Sequence, residues 1–313
     1  MKKALLFPGQ GSQTVGMGKE LADNFQVARD VFNEVDDALS EALSEVIFYG
    51  PQDVLTLTEN AQPAIMATSI AAFRVMEKEF GFDIKSQAAF VAGHSLGEYS
   101  ALCANGVLEL AETARLLRVR GLSMQRCVSP NNGAMAALIG IERDMAEIIA
   151  AEAAGDEICS VANDNAPGQV VISGARTAVE RALTIAKDKG AKRALMLEVS
   201  APFHCPLMAP AAGVMTDALS AAKFDNPIVP VVTNVTANAV SDPEILRNLL
   251  VDQVTGVVRW RESMEYLVKE GVTRVIEVGA GKVLSGLMKR ISTKIETINV
   301  GTPSDLETFS KVE

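Results

Sequence analysis

The stretch that decides the fold runs from residue 88 to residue 106 and reads AAFVAGHSLGEYSALCANG. Its first five residues are apolar and predict a buried strand. Apolar residues then recur at helical spacing from residue 96 to residue 103, and the Asn-Gly pair at 105–106 is a typical helix end. The segment Gly-His-Ser-Leu-Gly at 93–97 therefore joins a strand to a helix, which is the setting of a nucleophile elbow.

The same alternation of strand and helix extends to both ends of the chain. Residues 4–7 predict a short buried strand, and residues 110–127 predict a long helix. Near the end of the chain, a strand at 274–278 leads through Gly-Ala-Gly into a helical pattern at 283–291. Strands that alternate with helices predict an α/β fold with a parallel sheet.

The middle of the chain has a different organisation. Strands are predicted at 134–139, 159–162, 169–173 and 194–199, helices at 144–154 and 177–187, and a turn at 163–168. This β-α-β-β-α-β order is typical of a ferredoxin-like module. We therefore expect a small subdomain at 128–198, inserted into a large domain made of residues 1–127 and 199–313, with a substrate cleft between them.

Composition narrows the class of protein. The 313 residues are 48% hydrophobic and 22% charged, which is ordinary for a globular protein, and the net charge of −10 argues against general nucleic-acid binding. The four cysteines are scattered without metal-ligand spacing, so no metal is expected and a reducing cytoplasm fits. No apolar run reaches the length of a signal sequence or a membrane span, so no membrane association is expected.

Ser95 is the candidate nucleophile. It stands at the start of a helix, where developing negative charge is favoured and the Leu96 N–H can donate to an oxyanion. A serine hydroxyl needs a base, and the chain has two histidines. His94 adjoins Ser95 and its side chain is expected to point elsewhere, so His204 is the better base. Cys205 is a rival nucleophile without a distinctive setting.

The N-terminal loop at 7–13, FPGQGSQ, is glycine-rich but lacks the Gly-Lys-Ser/Thr ending of a phosphate loop. A G-x-G-x-x-G pattern starting at Gly9 meets Thr14 at its last position, so a dinucleotide loop also fails. We expect the backbone N–H of Gln10 to serve as a second oxyanion donor instead.

Arg120 falls within the apolar sector of the helix at 110–127, next to Met124 on a helical wheel. An arginine there can extend to the surface, pair with a protein carboxylate or await the carboxylate of a ligand. The pattern leaves all three open.

Taken together, these motifs resemble those of the malonyl-CoA:acyl carrier protein transacylase family. The matching residues are FPGQGSQ at 7–13, GHSLGE at 93–98, Arg120, Pro-Phe-His at 202–204 and EVGAGK at 277–282, in family order. Gly-Ala-Gly at 279–281 departs from the family pattern, where proline is common in the middle. The resemblance implies an α/β-hydrolase-like core with a ferredoxin-like subdomain.

The resemblance also implies roles. Ser95 would attack the thioester of malonyl-CoA, His204 would take its proton, and Arg120 would hold the malonyl carboxylate. A backbone carbonyl at Gln253 would orient His204 in place of a triad acid. The acyl group would pass to the phosphopantetheine thiol of acyl carrier protein, a typically acidic partner. The enzyme would need no cofactor of its own and would act as a monomer. Met124, Phe203 and His94 would join Arg120 in binding the substrate, and Phe203 would crowd the methyl branch of a larger donor.

Three other functions stay open. A serine hydrolase shares the elbow and the histidine but gives Arg120 no role. A catalytically silent docking protein for carrier proteins would not need Ser95 and His204. An acyltransferase for another extender unit, such as methylmalonyl, differs only in donor.

Overall fold

The structure, a computed structural model, describes residues 1–129, 131–199 and 201–311. Within these ranges the strands are β1 (Lys3–Phe7), β2 (Phe90–Gly93), β3 (Gly133–Ile139), β4 (Cys159–Ala166), β5 (Gln169–Ala175), β6 (Arg193–Met196), β7 (Val231–Val232), β8 (Ala239–Val240), β9 (Arg274–Val278) and β10 (Glu296–Val300).

The helices lie between them and cover both faces of the larger sheet. They are α1 (Lys19–Asn24), α2 (Gln26–Leu39), α3 (Leu43–Tyr49), α4 (Gln52–Thr56), α5 (Thr58–Phe80), α6 (Ile84–Gln87), α7 (Gly97–Ala104), α8 (Leu110–Arg126), α9 (Arg143–Ala154), α10 (Arg176–Asp188), α11 (Ala209–Ala221), α12 (Pro243–Thr255), α13 (Trp260–Lys269), α14 (Val283–Ile291) and α15 (Pro303–Ser310), with a short 3-10 helix at Pro206–Met208. Among the described residues, no helix is both long and apolar enough to cross a membrane.

The larger sheet has the strand order β10-β9-β1-β2-β7-β8. Its pairs are parallel except β7 with β8. In the central strand β1, Leu5 and Phe7 pack into one hydrophobic cluster while Ala4 and Leu6 pack into another. Burial on both faces is the reason that β1 is continuously apolar, as expected for a strand inside a parallel sheet.

The smaller sheet is antiparallel, with the order β4-β5-β3-β6. Its strands lie within residues 133–196, and α9 and α10 pack on one face. This order is the one expected of a ferredoxin-like module. The α/β class and the pairing of a parallel sheet with an antiparallel one are confirmed, while the domain limits at 128–198 stay a prediction.

The turn predicted at 163–168 is confirmed at residues 167–168 and wrong for residues 163–166. Asn and Asp favour turns, but β4 continues to Ala166 and pairs with β5 through two register shifts. The Asp164 N–H also donates to the carbonyl oxygen of Val258, at 2.9 Å, so this strand reaches the larger domain. The last strand of the small sheet is also shorter than predicted: β6 ends at Met196, three residues before the predicted end at residue 199.

Candidate active site

Ser95 lies at the turn between β2 and α7, with a left-handed φ of 53°. That conformation is uncommon for a residue with a side chain and is typical of strained turns at functional sites. The flanking glycines are required by the close packing of the turn. A Cβ on Gly93 would lie 1.9 Å from the carbonyl oxygen of Gly97, and a Cβ on Gly97 would lie 2.2 Å from that of Phe7.

The structure brings Ser95 and His204 together although 109 residues separate them. The Oγ of Ser95 lies 2.7 Å from Nε2 of His204, and Nδ1 of His204 lies 2.9 Å from the carbonyl oxygen of Gln253. Because a carbonyl only accepts, Nδ1 carries the proton and Nε2 is left free to accept from the serine hydroxyl. The arrangement is a serine–histidine pair oriented by a backbone carbonyl.

Burial, followed by the positive charge of Arg120, lowers the pKa of His204 to about 3. The imidazole is therefore neutral at any pH near neutrality and is ready to act as a base. The loop that carries it is also constrained, since His204 has a φ of 56°.

Arg120 is 1% exposed and points from α8 to the serine. Its Nη1 donates to Oε1 of Gln62 at 2.8 Å, and its Nη2 donates to Oε1 of Gln253 at 2.9 Å and to Oγ of Ser95 at 3.2 Å. Its guanidinium also lies 5.7 Å from the ring centre of Tyr99. In the described part of the chain, no carboxylate forms an ion pair with it.

Arg120 therefore holds a buried charge among neutral acceptors. A cation in this setting is poorly compensated, because burial opposes the charged form and amide oxygens offset only part of that cost. The burial of Arg120 excludes the surface alternative. For the ion-pair alternative, the buried Glu98 interacts with its charge at longer range, but no carboxylate among the described residues lies in ion-pair contact with it. A ligand carboxylate placed beside Ser95 would complete its pairing.

A cavity of about 320 Å3 opens in front of the serine. Its walls come from the N-terminal loop, the elbow, α8, the small sheet and the segment that carries His204. The residues that line it are Gln10, Gly11, Gln13, Gln62, His94, Ser95, Arg120, Met135, Asn163, Asn165, Val171, Leu197, Glu198, Val199, Phe203 and His204. Both sheets thus contribute to one site.

Of the remaining residues proposed from the sequence, some line the cavity and others do not. Gln10 and Phe203 line the cavity, and Leu96 is the residue before the first turn of α7, where backbone N–H groups lack helical partners. Met124 is fully buried behind the cavity wall, where its sulfur accepts from Nε2 of Gln62 at 3.9 Å. The oxyanion roles of Gln10 and Leu96 stay predictions, and Met124 has no direct access to the cavity.

His94 does turn away from the hydroxyl of Ser95. Its Nε2 lies 2.8 Å from Oδ1 of Asn165, and its ring packs against Trp260 with centroids 5.4 Å apart. Burial lowers the pKa of His94, so it too is neutral. It joins the elbow to β4 of the small sheet while still lining the cavity.

Several polar residues of the site escaped the sequence analysis. Asn234 bonds both Gly93 and Ser95, Gln62 accepts from Arg120, and the side chain of Gln253 contacts Arg120 and Ser95 in addition to its carbonyl's contact with His204. Asn163 and Asn165 were hidden by the wrong turn. Glu98 could have been identified as a site residue from the sequence, since it directly follows the G-x-S-x-G motif. Among the described residues, no cluster of three or more His, Cys, Asp or Glu side chains could hold a metal ion.

Comparison of this chain with known proteins finds acyltransferases among families, sequences and solved structures alike. The acyl transferase domain model matches residues 4–300. A malonyl CoA-acyl carrier protein transacylase of Bacillus subtilis is 44% identical over 98% of this chain and 95% of its own length. The solved acyl-carrier-protein-S-malonyltransferase of Bartonella henselae is 54% identical, with a TM-score of 0.97 over 100% of this chain and 99% of that one.

A third relative is a solved complex of a type II PKS acyl-carrier protein with its malonyl-transacylase. It is 40% identical to this chain, with a TM-score of 0.96 and full coverage of both chains.

Proposed function

The chain belongs to the malonyl-CoA:acyl carrier protein transacylase family of acyltransferases, and on that basis we propose that it moves a malonyl group from malonyl-CoA to the phosphopantetheine thiol of acyl carrier protein. This reaction supplies fatty acid synthesis. The observation that carries the donor assignment is the buried guanidinium of Arg120, 3.2 Å from Oγ of Ser95 and without a carboxylate partner among the described residues.

The first half-reaction forms an ester. Oγ of Ser95 attacks the thioester carbonyl while Nε2 of His204 takes the hydroxyl proton. The negative charge that develops on the carbonyl oxygen is held by the N–H groups of Gln10 and Leu96. The C–S bond then breaks, the proton on His204 passes to the coenzyme A sulfur, and malonyl-serine remains.

The second half-reaction reverses these steps with a different thiol. The phosphopantetheine thiol of the carrier protein gives its proton to His204 and attacks the ester carbonyl. The C–O bond of the ester breaks, and Oγ of Ser95 recovers the proton from His204. The carbonyl of Gln253 stabilises the imidazolium that forms in both steps without supplying a charge of its own.

Binding of the malonyl donor to Arg120 affects the basicity of His204. Arg120 is the second cause of the low pKa of His204. A malonyl carboxylate that pairs with the guanidinium in two parallel hydrogen bonds offsets its positive charge. The basicity of His204 therefore rises when the correct donor is bound. Phe203, beside the histidine and lining the cavity, limits the space for a branched acyl group.

The proposal includes properties of the whole enzyme. Acyl carrier protein is the partner, supported by the related complex of a carrier protein with its malonyl-transacylase. The phosphopantetheine belongs to that partner, so we propose that the enzyme has no cofactor of its own. We further propose that it acts as a monomer in the cytoplasm and binds neither nucleic acid nor membrane.

Intact-protein mass spectrometry tests this function. Malonyl-CoA alone should add one malonyl group, Ser95→Ala should abolish the addition, and carrier protein with its phosphopantetheine should remove it. A malonyl group lost to water at the same rate without carrier protein would indicate a serine hydrolase. Equal labelling from methylmalonyl-CoA would assign a different extender unit, and no labelling would indicate a silent docking protein.

A further inference from the structure

Both backbone groups of Ser95 are bonded to side-chain amides from distant parts of the chain. The Ser95 N–H donates to Oδ1 of Asn234 at 2.7 Å, and Nε2 of Gln253 donates to the Ser95 carbonyl at 3.0 Å. Nδ2 of Asn234 also donates to the carbonyl of Gly93 at 2.7 Å. These bonds hold the peptide groups around a residue whose φ of 53° is otherwise unfavourable.

The backbone N–H of Asn234 and the side-chain amide of Gln253 meet on one oxygen atom. Oε2 of Glu98 accepts from the Asn234 N–H at 3.1 Å and from Nε2 of Gln253 at 2.8 Å. Glu98 lies in the first turn of α7 and is 1% exposed. Among the described residues no basic side chain forms an ion pair with it; Gln253 bonds both Glu98 and Arg120, and the charge of Arg120 also acts on Glu98 through space.

We propose that Glu98 is a positioning residue for the nucleophile, which acts on Ser95 through Asn234 and Gln253. We call Glu98, Asn234 and Gln253 the amide clamp. The inference rests on the proposed function for its reaction, but the clamp acts on Ser95 itself and so governs any electrophile that the serine attacks.

The clamp depends on an acceptor atom at Oε2. When that oxygen is removed, the backbone N–H of Asn234 and one side-chain N–H of Gln253 lose this acceptor, which loosens the backbone that carries the Asn234 amide and the Gln253 amide itself. Ser95 would then leave the geometry in which its Oγ meets both His204 and the substrate carbonyl, and small displacements of a nucleophile slow a reaction strongly.

In the amide clamp, the hydrogen-bond acceptor that Glu98 provides matters more than the negative charge of its carboxylate. Burial raises the pKa of Glu98 to about 7, so the carboxyl is substantially neutral near neutral pH, and its carbonyl oxygen still accepts. Glu98→Gln keeps an acceptor oxygen in the same place, whereas Glu98→Ala does not. Retention of function in the glutamine variant therefore separates the clamp from an electrostatic role.

The test measures Ser95 reactivity in two ways: rapid-quench malonylation at saturating malonyl-CoA, and inactivation by a sulfonyl fluoride. The second reagent has no carboxylate, so it reports the serine alone. Glu98→Ala should slow both reactions by about tenfold to a hundredfold. Glu98→Gln should stay within about threefold of the wild type. Ser100→Ala, at a fully buried position on the same helix outside the clamp, is the matched control and should be unchanged.

Wild-type rates in Glu98→Ala, or equal slowing in Glu98→Ala and Glu98→Gln, would overturn the inference. If Glu98→Ala does not fold, Asn234→Ala removes the other arm of the clamp, and unchanged rates in that variant would have the same meaning. A wild-type protein that reacts with the sulfonyl fluoride but takes no malonyl group would contradict the proposed function, and the clamp would still be tested by the sulfonyl fluoride rates.

Discussion

Arg120 decides donor choice at the scale of a single residue. Its Nη2 is 3.2 Å from Oγ of Ser95, and its charge is shared among neutral oxygen acceptors. A lysine ammonium is a single point of charge and cannot reproduce the two parallel hydrogen bonds that a guanidinium makes with a carboxylate.

Arg120→Ala should cost malonyl transfer about 2 to 5 kcal/mol, a loss of at least about thirtyfold. Acetyl transfer has no carboxylate to hold and should survive or rise, while Arg120→Lys should recover malonyl transfer only in part. The measurement is the ratio of malonyl to acetyl transfer in the folded variant. Arg118→Ala is the matched control, because Arg118 bonds Glu41 and Asn60 away from the cavity. If Arg120→Ala keeps the wild-type ratio, Arg120 is not the carboxylate anchor.

His204 sets the pH dependence of acylation. Its folded pKa is about 3 against an ordinary value of 6.5, so between these values the folded enzyme keeps a neutral base while the unfolded chain takes up a proton. The kcat/KM for malonylation should therefore show no loss centred near pH 6.5. The same shift makes this residue's contribution to folding stability decrease as the pH falls from 6.5 towards 3.

Stopped-flow malonylation between pH 5 and pH 8 checks this expectation. Glu98→Gln is the control, because it removes the other group of the site with a pKa near neutrality. An acidic limb near pH 6.5 that persists in that variant would show that His204 is not shielded as the structure indicates.

At the scale of the element, the strand–turn–helix of the elbow depends on close packing. Gly97 is the first residue of α7, and a Cβ there would lie 2.2 Å from the carbonyl oxygen of Phe7 and 2.7 Å from that of Pro8. These oxygens belong to the end of β1 and the loop that carries Gln10. Packing at Gly97 thus aligns the nucleophile with the loop proposed to hold the oxyanion.

Gly97→Ala should therefore lower both stability and activity, at a cost of about 1 to 3 kcal/mol in unfolding free energy. Gly286→Ala is the matched control, because Gly286 lies in α14 with no atom within 4 Å of an added Cβ. That variant should gain about 0.5 to 1 kcal/mol. Thermal unfolding of the two variants measures both effects. A Gly97→Ala protein as stable and active as the wild type would contradict the close approach of α7 to β1.

At the scale of the whole molecule, ion pairs join the small sheet and its helix α9 to helix α13 of the rest of the chain. Asp164 of β4 is buried and pairs with Arg261 of α13 at 2.8 Å, and Arg143 of α9 pairs with Glu262 at 2.7 Å. With the bond from His94 to Asn165, these contacts fix the small sheet over the elbow. The small sheet, which supplies cavity residues, is therefore connected to both α13 and the elbow.

The net charge of −10 affects the encounter with the carrier protein. An acidic enzyme repels an acidic partner at long range, so a local basic patch near the cavity must offset this repulsion. The KM for carrier protein should depend on salt, while the KM for a free pantetheine acceptor should change little. Steady-state kinetics between about 0.05 and 0.5 M salt measure both, a range over which the screening length shortens severalfold. Equal salt dependence for the two acceptors would argue against such a patch.

The sequence by itself determined the elements and the family. Hydrophobic periodicity and glycine spacing placed β1, β2, α7, α8, β9 and α14, because these patterns act over a few residues and reflect local burial. The elbow at 93–97 and the motif set indicated an acyltransferase of the malonyl transfer family, which the comparisons confirmed.

Only the tertiary structure decided how polar side chains from distant segments meet. Asn234 and Gln253 lie more than a hundred residues from Ser95. Nothing local marks either amide: the resemblance implied only the backbone carbonyl of Gln253, and neither side chain was expected at the serine. The turn predicted at 163–168 proved shorter, at 167–168, for the same reason: pairing of residues 163–166 with β5 and with Val258 outweighed the turn preference of Asn and Asp. A hydrogen bond depends on distance and direction in space, and these are set by the packing of the sheets and helices rather than by order along the chain.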